Sequence, residues 1–305
     1  MQPYQQFSPS TIPSFILENN NSNGLINFLE TIIQTSGGLE KGYSDIEIRE
    51  EIIVMTVAGN DTSAVGASFT AVLLSRYPNV QAKVHQELQE VFGDSDRPVT
   101  PEDLPQLKYL EAVIKESLRL YPPVPIVARE VRSDVVLRKI SSGTTLVDGT
   151  SVLIHIWGTH RDPSYWGADA EVFRPERFLE GPLQHPAMFI PFSYSIRGCI
   201  GTTLVDETSV SIHILGTHRD PSTGNMMLDS GGFHQRPRPD TSTVSGATYA
   251  MLSAKTALAN LLRRYRLLPP AGALAEDLTR PLPVKYNIMM KASDDFLVRV
   301  EERKK

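Results

Sequence analysis

The sole cysteine, Cys199, lies in the run Phe192-Ser193-Tyr194-Ser195-Ile196-Arg197-Gly198-Cys199-Ile200-Gly201. A lone cysteine is a nucleophile, a metal ligand or an inert packed thiol, and its surroundings decide which. A second reactive pair, Asp61 and Thr62, sits in Ala58-Gly59-Asn60-Asp61-Thr62-Ser63. It interrupts a stretch, Val54 to Ala67, that carries no other charge. Such a pair can move protons; alternatively the threonine bonds back to a helix carbonyl and does no chemistry. Glu116 and Arg119 are spaced one helical turn apart. On a solvated helix that ion pair would contribute only about 0.2–0.5 kcal/mol. Pro175-Glu176-Arg177-Phe178 adds a further arginine between this pair and the cysteine.

Other chemistries are excluded or disfavoured. One cysteine allows no internal disulfide framework and no multi-cysteine zinc or iron–sulfur cage. The sequence has no His-Glu-x-x-His, which disfavours a zinc hydrolase. Among the seven histidines, His155/His160 and His213/His218 are copies of one another. A Cys/His hydrolase with Cys199 as nucleophile has no assignable base. The net charge of −5 over 305 residues argues against nucleic acid as the main partner. Hydrophobic residues at 41 % exclude wholesale disorder.

The elements that must position these residues follow from pattern. Residues 1–24, with Pro3, Pro9, Pro13 and an asparagine run, read as a disordered lead-in, and a helix follows from Gly24. Ser44-Asp45-Ile46-Glu47 is a capping box that starts a helix running to Arg76, before Tyr77-Pro78. Its apolar middle predicts a helix buried through the body of the protein. Pro78 to Val91 is amphipathic, with Val80, Val84, Leu88 and Val91 inward. A short helical stretch spans Pro101 to Leu104, and Leu107 to Leu120 forms a helix ended by Tyr121-Pro122-Pro123. Strands begin at Ile126, and Ser151 to Trp157 alternates. Residues 162–198 read as an ordered winding loop. Thr248 to Tyr265 is helical, and Lys285 to Val300 reads as a hairpin turning at Ser293-Asp294.

Residues 143–164 recur at 201–222, differing only at Gly149/Glu207, Leu153/Ser211 and Trp157/Leu215. One recurrence is too few for a solenoid. The first copy is expected to take the strand position, because Leu153 and Trp157 offer more apolar area than Ser211 and Leu215. Residues 223–246 lack periodicity and read as disordered.

The four spaced motifs together resemble the cytochrome P-450 haem-thiolate monooxygenases. The pattern is most similar to the animal microsomal family-four type, insect-like, over roughly residues 25–201 and 246–305. The resemblance implies a mainly α fold with small β-sheets (α+β), here the C-terminal part of the domain from 25 to 305. It implies haem, bound non-covalently, with Cys199 as axial thiolate ligand. A thiolate pushes electron density onto the iron and favours O–O cleavage. Asp61 and Thr62 would relay protons to dioxygen, and Gly59 would open the helix wall beside it. Many family-four members carry Glu where Ala58 stands, and that Glu can form an ester to haem; Ala58 cannot. Arg197 and Arg129 would pair with the haem propionates, as a guanidinium fork suits carboxylates. Phe192 and Gly201 would flank the ligand. Glu116, Arg119 and Arg177 would form a structural triad that locks the cysteine loop. Ile126 and Val127 would face a lipophilic small-molecule substrate. Partners implied are O2 and an NADPH-dependent reductase, at the endoplasmic reticulum membrane.

The sequence departs from the family pattern in three places. The family's N-terminal part, with its membrane anchor, is expected to be missing from this chain, and no transmembrane segment is expected. Ser195 stands where the family has Gly in the turn before the cysteine. Residues 202–246 separate Gly201 from a helix that the family joins directly to it, and they are expected to lie outside the core. The second reading is therefore a non-catalytic fragment or pseudoenzyme that holds haem poorly or not at all.

Overall fold

The computed structural model describes residues 44–136, 144–194, 198–199, 217–219, 226–228, 249–273, 280–286 and 289–303. Helix α1 spans Asp45–Arg76. Its start is the capping box: Ser44 N–H donates to Glu47 Oε2 at 2.7 Å, and Glu47 N–H donates to Ser44 Oγ at 3.4 Å. Helix α2 is Pro78–Phe92, with proline in its first turn, and α3 is Lys108–Leu120. A 3-10 turn, Leu104–Gln106, precedes α3. Pro122 and Pro123 then stop helix formation and the chain enters strand β1, Ile126–Glu130.

Strands β2 (Val135–Val136) and β3 (Thr145–Leu146) pair antiparallel. Strand β4, Ser151–His155, pairs antiparallel with β1, Val127 opposite Ile154 and Arg129 opposite Val152. The first copy of the duplicated segment supplies β4. Short helices α4 (Ile156–Thr159) and α5 (Pro163–Trp166) follow, then 3-10 turns at Pro175–Phe178 and Pro186–Met188. Helix α6 is Tyr249–Arg264 and runs straight into β7, Tyr265–Leu268. All the sheets among the described residues are two-stranded, and the fold is mainly α with small β-sheets.

The chain divides into two compact units. One holds residues 54–205 and 234–305; the other holds residues 1–53 and 206–233. In the second unit, strands β5 (Thr217–Arg219) and β6 (Met226–Leu228) pair antiparallel. The reading of 223–246 as disordered is thus corrected at Met226–Leu228, where the backbone finds a partner strand. The lead-in, the helix expected from Gly24 and the copy of the strand at 208–215 lie outside the described residues.

The core of the larger unit joins the C-terminal half of α1 (Phe69, Leu73), α2 (Val84, Leu88), α3 (Leu110, Val113) and α6 (Leu258, Leu262). Two buried polar side chains join it. Gln81 donates to the carbonyls of Leu74 and Leu267 and accepts from Leu267 N–H. It thereby satisfies the end of α1 and holds β7. Lys255 pairs with Glu111 at 3.0 Å and also donates to Leu104 O, tying α6 to α3.

Two expectations are corrected. The apolar middle of α1 is not buried throughout: Val54 and Val57 are 53 % and 55 % exposed. Apolar periodicity states that a face seeks cover, not what covers it. The expected hairpin over Lys285 to Val300 does not form either. Strand β8 (Val284–Tyr286) pairs with β9 (Met290–Ala292). Asp295 and Phe296 then turn at positive φ, and strand β10, Arg299–Glu302, pairs with β7 instead.

Candidate functional site

Glu116 and Arg119 lie on α3 with no exposed side-chain surface. Arg119 Nε donates to Glu116 Oε2 at 2.7 Å and a terminal nitrogen donates to Oε1 at 2.8 Å, a bidentate fork. The remaining guanidinium hydrogens reach the carbonyls of His160 (2.7 Å), Ala170 (2.6 Å) and Val172 (3.2 Å). All five donors of this arginine are occupied. Arg177, from the 3-10 turn at Pro175–Phe178, donates through Nε to Glu116 Oε1 at 3.1 Å. It also reaches the carbonyls of Trp166 and Asp169 and pairs with the Asp169 carboxylate at 2.9 Å. Arg174 N–H donates to Glu116 Oε1 at 2.9 Å. One carboxylate and two arginines therefore gather a stretch of loop, 160–177, onto α3.

His160 extends this network toward the cysteine. Its Nδ1 lies 3.2 Å from Arg119 O, and its Nε2 accepts from Ile190 N–H at 2.8 Å. Accepting at Nε2 puts the ring proton on Nδ1, donated to Arg119 O. The imidazole is fully buried and stacks on Phe189 at 5.4 Å. Burial, with the Arg119 and Arg161 charges nearby, lowers its pKa to about 3. From Ile190 the loop closes on itself: Ser193 N–H donates to Ile190 O at 3.0 Å and Cys199 N–H donates to Phe192 O at 2.8 Å. Cys199 is exposed.

The His160 pKa carries a pH prediction. The folded value lies below the unfolded value of about 6.5, so the unfolded chain binds more protons between them. The stabilisation is present above about pH 6.5 and is lost as pH falls toward 3. Between pH 7 and pH 5 this one group will cost about 2 kcal/mol. Urea unfolding at the two pH values, compared with His160→Gln, isolates it, and an equal loss in the variant would refute the assignment.

Arg129, on β1, donates to Ser193 Oγ at 2.8 Å, so β1 is tied to the cysteine loop. Ser193 adopts φ 62°, a left-handed position where a non-glycine residue is strained. The turn position flagged by sequence, Ser195, and the site residues Arg197 and Gly201 lie outside the described residues. Phe192 is partly buried against the core.

At its other end this segment meets α1. A Cβ on Gly66 would lie 3.4 Å from Leu118 and 3.8 Å from Pro123. The chain bends at Pro123 and Val124 and then enters β1, which carries it to Arg129. Ile126, 46 % exposed, and Val127, partly buried, lie between those two anchors. On α1 the exposed residues Val54 and Val57 precede Ala58 and Gly59, and a Cβ on Gly59 would meet nothing within 4 Å. Thr62 donates its hydroxyl to Ala58 O at 2.6 Å. Asp61, expected to be buried, keeps 47 % of its side chain exposed and lies 3.5 Å from Lys291 Nζ. It follows the exposed stretch Val57 to Asn60 on α1; the lysine is set beside it by β9, where Met290 N–H donates to Pro123 O at 2.9 Å. Lys291 carries no motif that sequence reasoning could have found. Among the described residues no group of three or more His, Cys, Asp or Glu side chains could hold a metal.

The cytochrome P450 sequence model matches residues 5–222, ending where the second copy of the duplicated segment ends. "Cytochrome P450 4V2" of Mus musculus is 43 % identical over 192 residues, 62 % of this chain and 36 % of that protein. "Cytochrome P450 4d2" of Drosophila melanogaster is 45 % identical over 162 residues, 52 % of this chain and 31 % of that protein. "Cytochrome P450 4g15" of Drosophila melanogaster is 31 % identical over 282 residues, 90 % of this chain and 39 % of that protein. The chain belongs to the cytochrome P450 family, and these relatives are of its family 4. It spans 31–39 % of the length of these three relatives.

The described residues fit the haem that the family implies. The set comprises an exposed thiol on a hydrogen-bonded loop, an arginine bonded to that loop, an uncovered apolar stretch on α1, and open space beside Gly59. Each of those features suits a broad apolar group with acidic edges. No helix among the described residues is long and apolar enough to cross a membrane.

Proposed function

We propose that this chain is the haem-binding part of a monooxygenase that inserts one oxygen atom of O2 into a lipophilic small molecule. The observation that carries this reading is the tie between the buried triad and the exposed Cys199, running through His160 and the loop from Ile190. When bound, haem supplies one-electron chemistry and the activation of O2. NADPH, through a reductase at the endoplasmic reticulum membrane, supplies the electrons, and the second oxygen atom leaves as water.

In this reading Cys199 Sγ is the iron ligand, and Arg129 and Arg197 hold the carboxylate edge of the group. Glu116, Arg119 and Arg177 keep the loop at a fixed height. Ile126 and Val127 orient an apolar substrate and exclude water. Ala58 and Gly59 leave the helix wall low. Asp61, half exposed beside Lys291, carries protons between solvent and the site, and Thr62 Oγ1 passes them on after leaving Ala58 O. Phe192 and Gly201 pack beside the thiolate. The second reading, a chain that no longer holds haem, is favoured by residues 202–246 standing between Cys199 and α6.

Haem titration with a ferrous–CO spectrum separates the two. Thiolate ligation supports the first, and absence of any haem spectrum supports the second. Cys199→Ser will abolish the thiolate spectrum, whereas Thr62→Ala will leave haem bound and divert electrons from product to reduced oxygen. Equal haem loss in both variants would sink this division of roles.

A further inference from the structure

We infer that His160 is a positioning residue for Cys199: a neutral imidazole that joins the end of α3 to the cysteine loop and sets where the thiol stands. The inference rests on the haem-thiolate reading and adds to it a residue outside the triad.

The argument is one of connectivity. Arg119 holds His160 twice, its guanidinium donating to His160 O and its own carbonyl accepting from Nδ1. His160 in turn holds Ile190 N–H through Nε2. Ile190 starts the closed turn whose hydrogen bonds end at Cys199 N–H. Removing the imidazole would leave Ile190 N–H buried without its acceptor, so the start of the turn must shift or take in water. The charged neighbours oppose any protonated form. Arg119 lies on α3, Arg161 lies next in the chain, and Glu116 is already engaged by Arg119 and Arg177. Phe189 stacked on the ring, and Phe178 on Phe189 at 4.9 Å, exclude water from the link. The ring thus holds one donor and one acceptor role through the physiological range.

Cys199 is the only thiol in the chain, so its alkylation reads one position. The experiment measures, on the full haem-free chain, the iodoacetamide rate at Cys199 and amide exchange in the segment 186–199. Three variants are compared. His160→Phe keeps the ring stack and loses both polar contacts. His160→Asn keeps a donor toward Arg119 O but cannot reach Ile190. His160→Gln offers a donor and an acceptor together.

His160→Asn and His160→Phe should exchange the Ile190 amide at least about tenfold faster and change the alkylation rate at least about threefold. His160→Gln should stay within about twofold of the parent. In haem-loaded chains the thiolate-ligated share of the ferrous–CO complex should fall in the first two and persist in the third. Should His160→Phe fail to fold, His160→Asn, which retains the α3 contact, decides alone. Unchanged exchange and alkylation in His160→Asn would overturn the inference. If the parent takes up no haem while exchange and alkylation change as stated, the positioning role stands and the monooxygenase reading falls.

Discussion

Arg119→Met will destabilise the chain by about 3–5 kcal/mol, the cost of leaving a buried carboxylate without its main partner. The arginine has no exposed surface, and Glu116 beside it has none. The further result expected is that adding Glu116→Leu will not restore stability. Replacing a whole buried ion pair by apolar groups is often neutral. Here Arg119 also supplies the donors to the carbonyls of His160, Ala170 and Val172. Those acceptors would remain in the double variant, each buried loss costing about 1–3 kcal/mol. Arg177 would lose Glu116 as well and keep Asp169 as its carboxylate partner. Urea unfolding of the haem-free chain, followed by tryptophan fluorescence, reads the region directly. The chain has two tryptophans, and both lie in this junction. The Arg119 guanidinium sits 4.9 Å from the Trp166 ring, and Arg161 sits 3.4 Å from the Trp157 ring. A double variant as stable as the parent would mean that the triad is replaceable packing and not an anchor for the loop.

The elements built from local signals were legible in sequence. The Ser44/Glu47 box and the Tyr77-Pro78 stop gave both ends of α1, because capping and proline chemistry act within one turn. The i,i+3 spacing showed that Glu116 and Arg119 could pair. Sequence could not show that three further donors of Arg119 would be met by the carbonyls of His160, Ala170 and Val172, 41 to 53 residues away. The duplicated segment shows why. Gly158–Ser164 and Gly216–Ser222 are the same seven residues, GTHRDPS. In the first copy, Thr159 ends α4 and His160 is buried between α3 and Ile190. In the second, Thr217–Arg219 is strand β5, paired with β6. The local sequence is identical, so the surroundings decide. The same reasoning covers Asp61, whose neighbour Lys291 arrives from the other end of the chain through β9, and β10, which leaves its expected hairpin for β7.

Deleting residues 202–246 will tighten haem binding and raise the thiolate-ligated share of the ferrous–CO complex. In the intact chain, Cys199 and the first described residue of α6, Tyr249, are separated by that whole segment. After deletion, only Ile200, Gly201, Ala247 and Thr248 stand between them. The free N–H groups and positive end of a helix favour a nearby thiolate by about 0.3–2 kcal/mol. That alone corresponds to a gain of about two- to thirtyfold in affinity. A second effect acts in the same direction. Residues 209–213 repeat the sequence of β4 with one change, Ser211 for Leu153, so the intact chain carries a competing sequence for the register beside β1. Removing the competing sequence is expected to favour the β1–β4 pairing that holds Arg129 beside the cysteine loop. Replacing 202–246 with an equally long Gly/Ser linker separates the two effects. The linker abolishes the competition but keeps α6 distant, so it should recover only part of the gain. Haem titration of the three chains decides the point. An intact chain that already binds haem with the same affinity and the same thiolate spectrum as the deletion would show that α6 reaches Cys199 despite the inserted segment.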